Sequence, residues 1–201
     1  VASLVGSEMC IRDSSRNGAQ WSARLWWMLR SVGIDNVSIL DGGFKEWEQN
    51  DLPTSQTSLD YSPSDFEFTP RENIFVNKDV VINAIGNPNF IILNSLTADI
   101  HEGQNPRYGR RGKIPSSKNI PFHELLDNKT GKFKQIEELA NMFEKNKITK
   151  DKKILNYCGG GIAASLEAFV LYQLGFEKIV IYDNSLHEWA AIDQTLPMEN
   201  N

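Results

Sequence analysis

The 201-residue chain has only two cysteines, Cys10 and Cys158, and three histidines. So thin a supply of thiols excludes a disulfide framework and fits a reducing, cytoplasmic setting. His101, His123 and His187 fall at no spacing that suits a metal ion, and neither a metal nor an organic cofactor is expected. No stretch approaches the roughly 18 consecutive apolar residues of a membrane span. Excess positive charge is missing too: a net charge of −5 argues against nucleic acid as a partner. The lysines from Lys145 to Lys153 mix with Glu144 and Asp151 and read as a solvated helix end. Residues 1–13 lack periodicity and lack the charged start and long apolar run of a signal peptide. They read as a non-native lead-in, so Cys10 carries no functional weight.

What the chain does have is one stretch around which the rest is organised, Ile154-Leu155-Asn156-Tyr157-Cys158-Gly159-Gly160-Gly161-Ile162-Ala163-Ala164-Ser165. An apolar run of β-forming residues stops at a cysteine, three glycines follow, and residues 163–174 read as a helix closed by Gly175. Glycines can take φ > 0 and let successive backbone N–H groups converge on whatever sits on the sulfur. The helix start adds its own unpaired N–H groups and the positive end of its dipole. Such a site would hold a negatively charged sulfur adduct, and its natural chemistry is nucleophilic attack with a stored covalent intermediate.

A lone cysteine is more often an inert core residue than a nucleophile. Position argues otherwise here, because Cys158 ends a strand of a parallel α/β pattern, where ligands bind, beside a glycine triplet that a merely structural loop does not need. Spacing disposes of two rivals. A phosphatase-type loop needs an arginine six positions after the cysteine, where this chain has Ala164, and a redox or zinc site needs a second cysteine close by.

Along the chain, residues 20–32 follow helical spacing through Leu25, Trp26, Met28, Leu29 and Val32, with Gly33 as the stop. Trp21, Trp26 and Trp27 come with no basic stripe and read as core packing. Residues 37–40 read as a short buried strand, and Gly42-Gly43 turns the chain into a brief helix with Phe44 and Trp47. The same order recurs later: residues 33–41 lie over 175–183, and Glu46-Trp47 over Glu188-Trp189, at a constant offset of 142 (175 − 33). The expectation is therefore a C-terminal fragment of a first domain at 14–50, a linker at 51–73 in which Phe66 and Phe68 tack an extended stretch to a surface, and a complete domain at 74–201. Roughly 90 further residues upstream would complete a domain of the usual length. Within the complete unit Asn77 caps a helix, residues 90–93 and 118–120 are strands around a long polar loop at 97–113, and Ile136, Leu139, Ala140 and Phe143 share one helical face. Strands alternating with helices imply a mostly parallel sheet covered on both faces.

The segments SARLWWMLRSVGIDNVSILDGGFKEW, RYGRRGKIPSSKNIPF, YCGGGIAAS and IYDNSLHEW together resemble a tandem rhodanese. The resemblance implies a five-stranded parallel sheet flanked by helices, used twice, with only the second copy catalytic. It implies a sulfurtransferase in which Cys158 takes a sulfane sulfur as a persulfide and passes it to a thiol, on a small molecule or a thioredoxin-like protein, or to cyanide. The active-site loop would be Cys158, Gly159, Gly160, Gly161, Ile162 and Ala163. Where many relatives carry Asp-Xaa-Arg and a further donor-gripping arginine, this chain has Asn94-Ser95-Leu96 and Ile100; the loop also lacks the basic residues associated with thiosulfate users and has Gly160 where mercaptopyruvate users carry serine. An anionic donor needs a countercharge, for which Arg107, Arg110 and Arg111 are the candidates, with His187 in the turn after the last strand as a surface histidine within reach. A rhodanese-like module that binds without turnover is the competing expectation, and an exposed apolar face on the Trp26-Trp27 helix is expected where the first domain's sheet is absent.

Overall fold

A computed structural model describes residues 18–57 and 69–200. The expected lead-in with Cys10, and the part of the linker holding Phe66 and Phe68, lie outside the described residues. Five parallel strands form one sheet: β1 (Phe75–Val76), β2 (Phe90–Asn94), β3 (Lys118–Asn119), β4 (Lys153–Tyr157) and β5 (Ile179–Tyr182), in the spatial order β1-β5-β4-β2-β3. β4 lies at the centre, paired with β2 over its whole length and with β5, and its interior residues Ile154, Leu155, Asn156 and Tyr157 are all buried. A strand buried on both faces reads as a continuous apolar run, which is how residues 90–93 and 154–157 read in sequence.

The helices are α1 (Gln20–Ser31), α2 (Gly43–Gln49), α3 (Lys78–Ala84), α4 (Ala98–His101), α5 (Ile136–Lys145), α6 (Ile162–Gln173) and α7 (Ser185–Trp189). Asn77 caps α3 as expected, its side-chain oxygen accepting the Asp79 and Val80 N–H groups. α5 is amphipathic and buries Leu139 and Phe143. α6 is different. It is mostly apolar and buried without a break from Ala163 to Leu171, Ser165 and Glu167 included, because β4 and β5 lie on one side of it and α1 on the other.

That packing overturns the expected exposed face on α1. Trp26 and Trp27 are 4% and 5% exposed, with their rings edge-on at 4.9 Å. Trp26 also meets Phe169 and Tyr172 of α6, each at 5.0 Å. The Trp27 indole N–H donates to the Ser165 carbonyl at 3.1 Å. α1 needs no sheet of its own because α6 supplies an apolar surface at the right spacing. Residues 37–40, expected as a strand, form none, since no strand of the sheet lies beside them to complete the ladder. The long loop at 97–113 differs as well, starting with the short helix α4, and a 3₁₀ turn (Phe122–Leu125) follows β3.

Candidate active site

Cys158 stands where the sequence places it, one residue past the carboxyl end of β4 and just before α6. Its surroundings explain the loop's shape. The Cys158 and Gly159 carbonyls accept the N–H groups of Leu186 and His187 at 3.0 and 2.9 Å, so both oxygens point toward the start of α7. From the same helix start, Ser185 Oγ accepts the N–H of Cys158 at 3.0 Å and of Gly161 at 3.2 Å while donating to the Tyr182 carbonyl at 2.7 Å. Ser165 Oγ donates to the Gly161 carbonyl at 2.7 Å and fastens the loop to α6. Behind it, Arg24 of α1 pairs with Asp183 at 2.5 Å.

The three glycines serve three different ends. Gly161 sits at φ +77, and a Cβ there would meet the Asp183 carbonyl oxygen at 2.8 Å, so both conformation and space require glycine. Gly159 lacks a positive φ, but a Cβ there would collide with the Tyr108 side chain, whose Cε1 would lie at 2.6 Å. Gly160 has neither constraint: nothing lies within 4 Å of its would-be Cβ. Of the three, Gly161 alone uses the freedom to take φ > 0. The anion cradle is narrower as well, because the Gly161 N–H is occupied by Ser185. Among the described residues the N–H groups of Gly159, Gly160, Ile162 and Ala163 have no protein acceptor, and they crowd at the N-terminus of α6, where the dipole favours negative charge.

Cys158 itself is 2% exposed and belongs to the hydrophobic core, so its place at a ligand-binding strand end does not make it a thiol presented to solvent. Beside it the Tyr108 side chain, half-buried against the core, lies over Gly159. Burial holds that phenol above its ordinary pKa against an opposing pull from Arg107, with a smaller push in burial's direction from Cys158. Outside it lies an open cleft of about 550 Å³ lined by Arg107, Tyr108, Gly109, His187, Ala191, Ile192 and Asp193.

The three candidate arginines separate. Arg110 donates through Nε, Nη1 and Nη2 to the carbonyls of Ala191, Leu196 and Trp189, at 3.2, 2.6 and 2.5 Å, and so clamps the loop to the C-terminal segment rather than facing a ligand. Arg111 donates to the carbonyls of Gly103 and Gln104. Only Arg107 lines the cleft, its guanidinium 5.7 Å from the Tyr108 ring centre. His187 lines it too, as an exposed side chain.

Where the expected Asp-Xaa-Arg cations are missing, neutral groups bond to one another. Asn94 Nδ2 donates to His101 Nδ1 at 3.1 Å, Asn94 Oδ1 accepts the Leu96 N–H, and Asn119 Nδ2 donates to the Asn94 and Leu96 carbonyls. Ser95 Oγ donates to Glu167 Oε2 at 2.5 Å. Glu167 is wholly enclosed, its Oε1 has no hydrogen-bond partner among the described residues, and burial pushes its carboxyl up to about 8. Burial and then Lys113 push His101 down to about 4. Among the described residues no group of His, Cys, Asp and Glu is placed to hold a metal ion, and no helix is long and apolar enough to cross a membrane.

Sequence reasoning missed Tyr108, Ser185 and Glu167. For Ser185 a signal existed. Its counterpart in the internal repeat is Gly43, and both take φ > 0, at +50 and +66. A serine kept where glycine is easier points to a needed hydroxyl. Tyr108 carries no such mark, since only the fold brings it to Gly159.

Comparison with known proteins agrees with this architecture. A family model described as the rhodanese-like domain matches residues 89–192. The chain is 34% identical over 180 residues to 3-mercaptopyruvate sulfurtransferase of Escherichia coli K12, covering 88% of this chain and 63% of that protein. It is 31% identical over 186 residues to the mouse 3-mercaptopyruvate sulfurtransferase, covering 91% and 62%, and 28% identical to thiosulfate sulfurtransferase of Gallus gallus over 184 residues, covering 91% and 63%. The chain thus spans about three fifths of the length of these relatives. Among solved structures, wild-type EanB superposes with a TM-score of 0.81 at 18% identity, covering 90% of this chain and 44% of that one, a likeness of fold alone.

Proposed function

The chain belongs to the rhodanese-like family, and on that premise we propose that it is a sulfurtransferase working through a Cys158 persulfide. The observation that carries the reading is a single thiol at the carboxyl end of the central strand, with the Cys158 and Gly159 carbonyls turned away and unengaged N–H groups gathered at the start of α6. The Cys158 thiolate attacks the outer sulfur of a small anionic donor. The bond joining that sulfur to the rest of the donor breaks, and the remainder leaves with the electron pair, as sulfite from thiosulfate or as the pyruvate carbanion from mercaptopyruvate, which then takes a proton from water. The resulting Cys–S–S⁻ lies in the cradle of Gly159, Gly160, Ile162 and Ala163 N–H groups. An acceptor thiolate or cyanide then attacks the outer sulfur and releases Cys158 as thiolate. No step needs a metal or organic cofactor.

The relatives' names support the donor class, and Arg107 at the cleft mouth supports an anionic group there. In this reading residues 74–201 form the catalytic unit, 14–50 the tail of a first domain and 51–73 the linker. The acceptor is a small-molecule thiol or a thioredoxin-like protein, and the setting is cytoplasmic. Incubation with thiosulfate or 3-mercaptopyruvate followed by mass spectrometry tests it: the parent gains one sulfur on Cys158 and transfers it to cyanide or thiol, whereas Cys158→Ser does neither. A Ser variant that still transfers at the parent rate sinks the assignment.

One observation favours a second reading. Cys158 is covered, and neutral residues replace the expected cations at Asn94-Ser95-Leu96, as in a module that binds an anion or partner without turnover. The same mass measurement separates the two, because such a module gains no sulfur.

A further inference from the structure

Resting on the reading of Cys158 as the nucleophile, we propose that the Tyr108 ring is the gate over that thiol and decides what size of molecule reaches it. Three observations meet at this point. Cys158 is nearly sealed, although it sits at the strand end beside an open cleft. Tyr108 fills the space that a side chain at position 159 would occupy, so Gly159 is the seat of the phenol ring. Tyr108 also faces the cleft, so the same ring separates the cavity from the sulfur.

The ring is held from outside the loop it covers. Gly109, at φ +116, turns the chain directly after it, and a Cβ there would meet the Ala190 carbonyl oxygen at 2.5 Å. The Arg110 N–H donates to that same carbonyl at 2.7 Å, and its side chain grips three further carbonyls of the C-terminal segment. The backbone under Tyr108 is therefore fixed, while among the described residues its hydroxyl has no hydrogen-bond partner, and the Arg107 guanidinium lies 5.7 Å from its ring centre. A fixed backbone with a hinged ring opens by side-chain rotation, without the loop having to unfold.

The test reads access to the sulfur without asking for turnover. Alkylation of Cys158 by iodoacetamide, and by the bulkier N-phenylmaleimide, is followed on the Cys158 peptide by mass spectrometry. Tyr108→Ala should speed iodoacetamide labelling about tenfold and the bulkier reagent more; Tyr108→Phe, which keeps the ring, should stay within about threefold of the parent. Gly159→Ala should expel the ring and match Tyr108→Ala, and the double variant should be no faster than Tyr108→Ala alone, because the two changes remove one contact. Thermal unfolding confirms that each variant is folded. Labelling of Tyr108→Ala at the parent rate, equal opening by Tyr108→Phe, or additive effects in the double variant would overturn the gate. A parent that labels as described yet gains no sulfur from a donor leaves the gate standing and removes the catalytic reading.

Discussion

Ser185 holds the backbone of Cys158 through its hydroxyl oxygen, 3.0 Å from the Cys158 N–H, and does so from a left-handed conformation at φ +50. One oxygen thus joins the strand end, the third loop glycine and the turn after β5. The loop's geometry is set from the last helix as much as from its own glycines.

Ser185→Ala and Ser185→Gly should both slow sulfur transfer, by about 10- to 100-fold, since displacing a nucleophile by an ångström is enough to cost that much. Stability should separate them. Glycine relieves the positive φ that alanine keeps, so the Gly variant should be about 1 kcal/mol the more stable in urea unfolding. Equal stabilities would show that the backbone at this position is not strained.

Gly160 and Gly161 are adjacent and predicted to behave oppositely. Gly160→Ala meets open space and should retain activity within about threefold, whereas Gly161→Ala combines φ +77 with a clash on the Asp183 carbonyl and should lose more than 100-fold. Steady-state transfer from thiosulfate to cyanide is the measurement. A tolerant position 161 would contradict the loop geometry.

Glu167 makes stability depend on pH in a predictable direction. Its carboxyl has the ordinary value of 4.5 when unfolded and is raised to about 8 in the folded chain, so the folded state binds the extra proton between those values. Stability from this group is therefore whole below about pH 4.5 and is lost as pH rises through about 8, by a few kcal/mol. Glu167→Gln keeps an acceptor for Ser95 and cannot ionise. Its stability relative to the parent should rise between pH 5 and 9 in denaturant titrations; a constant difference would refute the buried proton. His101 acts at the other end, its value falling from 6.5 to about 4 on folding, so its contribution is lost as pH drops through that window.

Trp27→Ala should cost about 3–5 kcal/mol, removing a buried indole together with the hydrogen bond that it gives to the Ser165 carbonyl. Trp27→Phe keeps most of the ring and should cost about 1–2 kcal/mol. Urea midpoints of the two variants decide it, and a cost below about 1 kcal/mol for Trp27→Ala would mean that α1 is not part of the cooperative core.

Much of the fold was legible because it obeys periods. The β4 run, the glycine stops at Gly33 and Gly175, the Asn77 cap and the α5 stripe are local signals with local causes. β1 was not legible, since two residues carry no period, and a strand at 37–40 was expected because its apolar run cannot reveal whether a neighbouring strand is present. The site divides in the same way. Cys158 and the glycines announce themselves by spacing, but the different roles of Gly159, Gly160 and Gly161 depend on Tyr108 and Asp183, which are distant in sequence. Likewise Arg110 reads as a free cation until the C-terminal carbonyls close around it.

The sequence draws its boundary at the linker, yet the indoles of α1 roof the helix that begins at the Cys158 loop. Cutting the chain at residue 74 would leave the outer side of α6, with Phe169 and Tyr172, wet. The smallest piece that keeps that helix dry begins before Gln20, so the covalent map and the map of what must travel together place the dividing line in different spots.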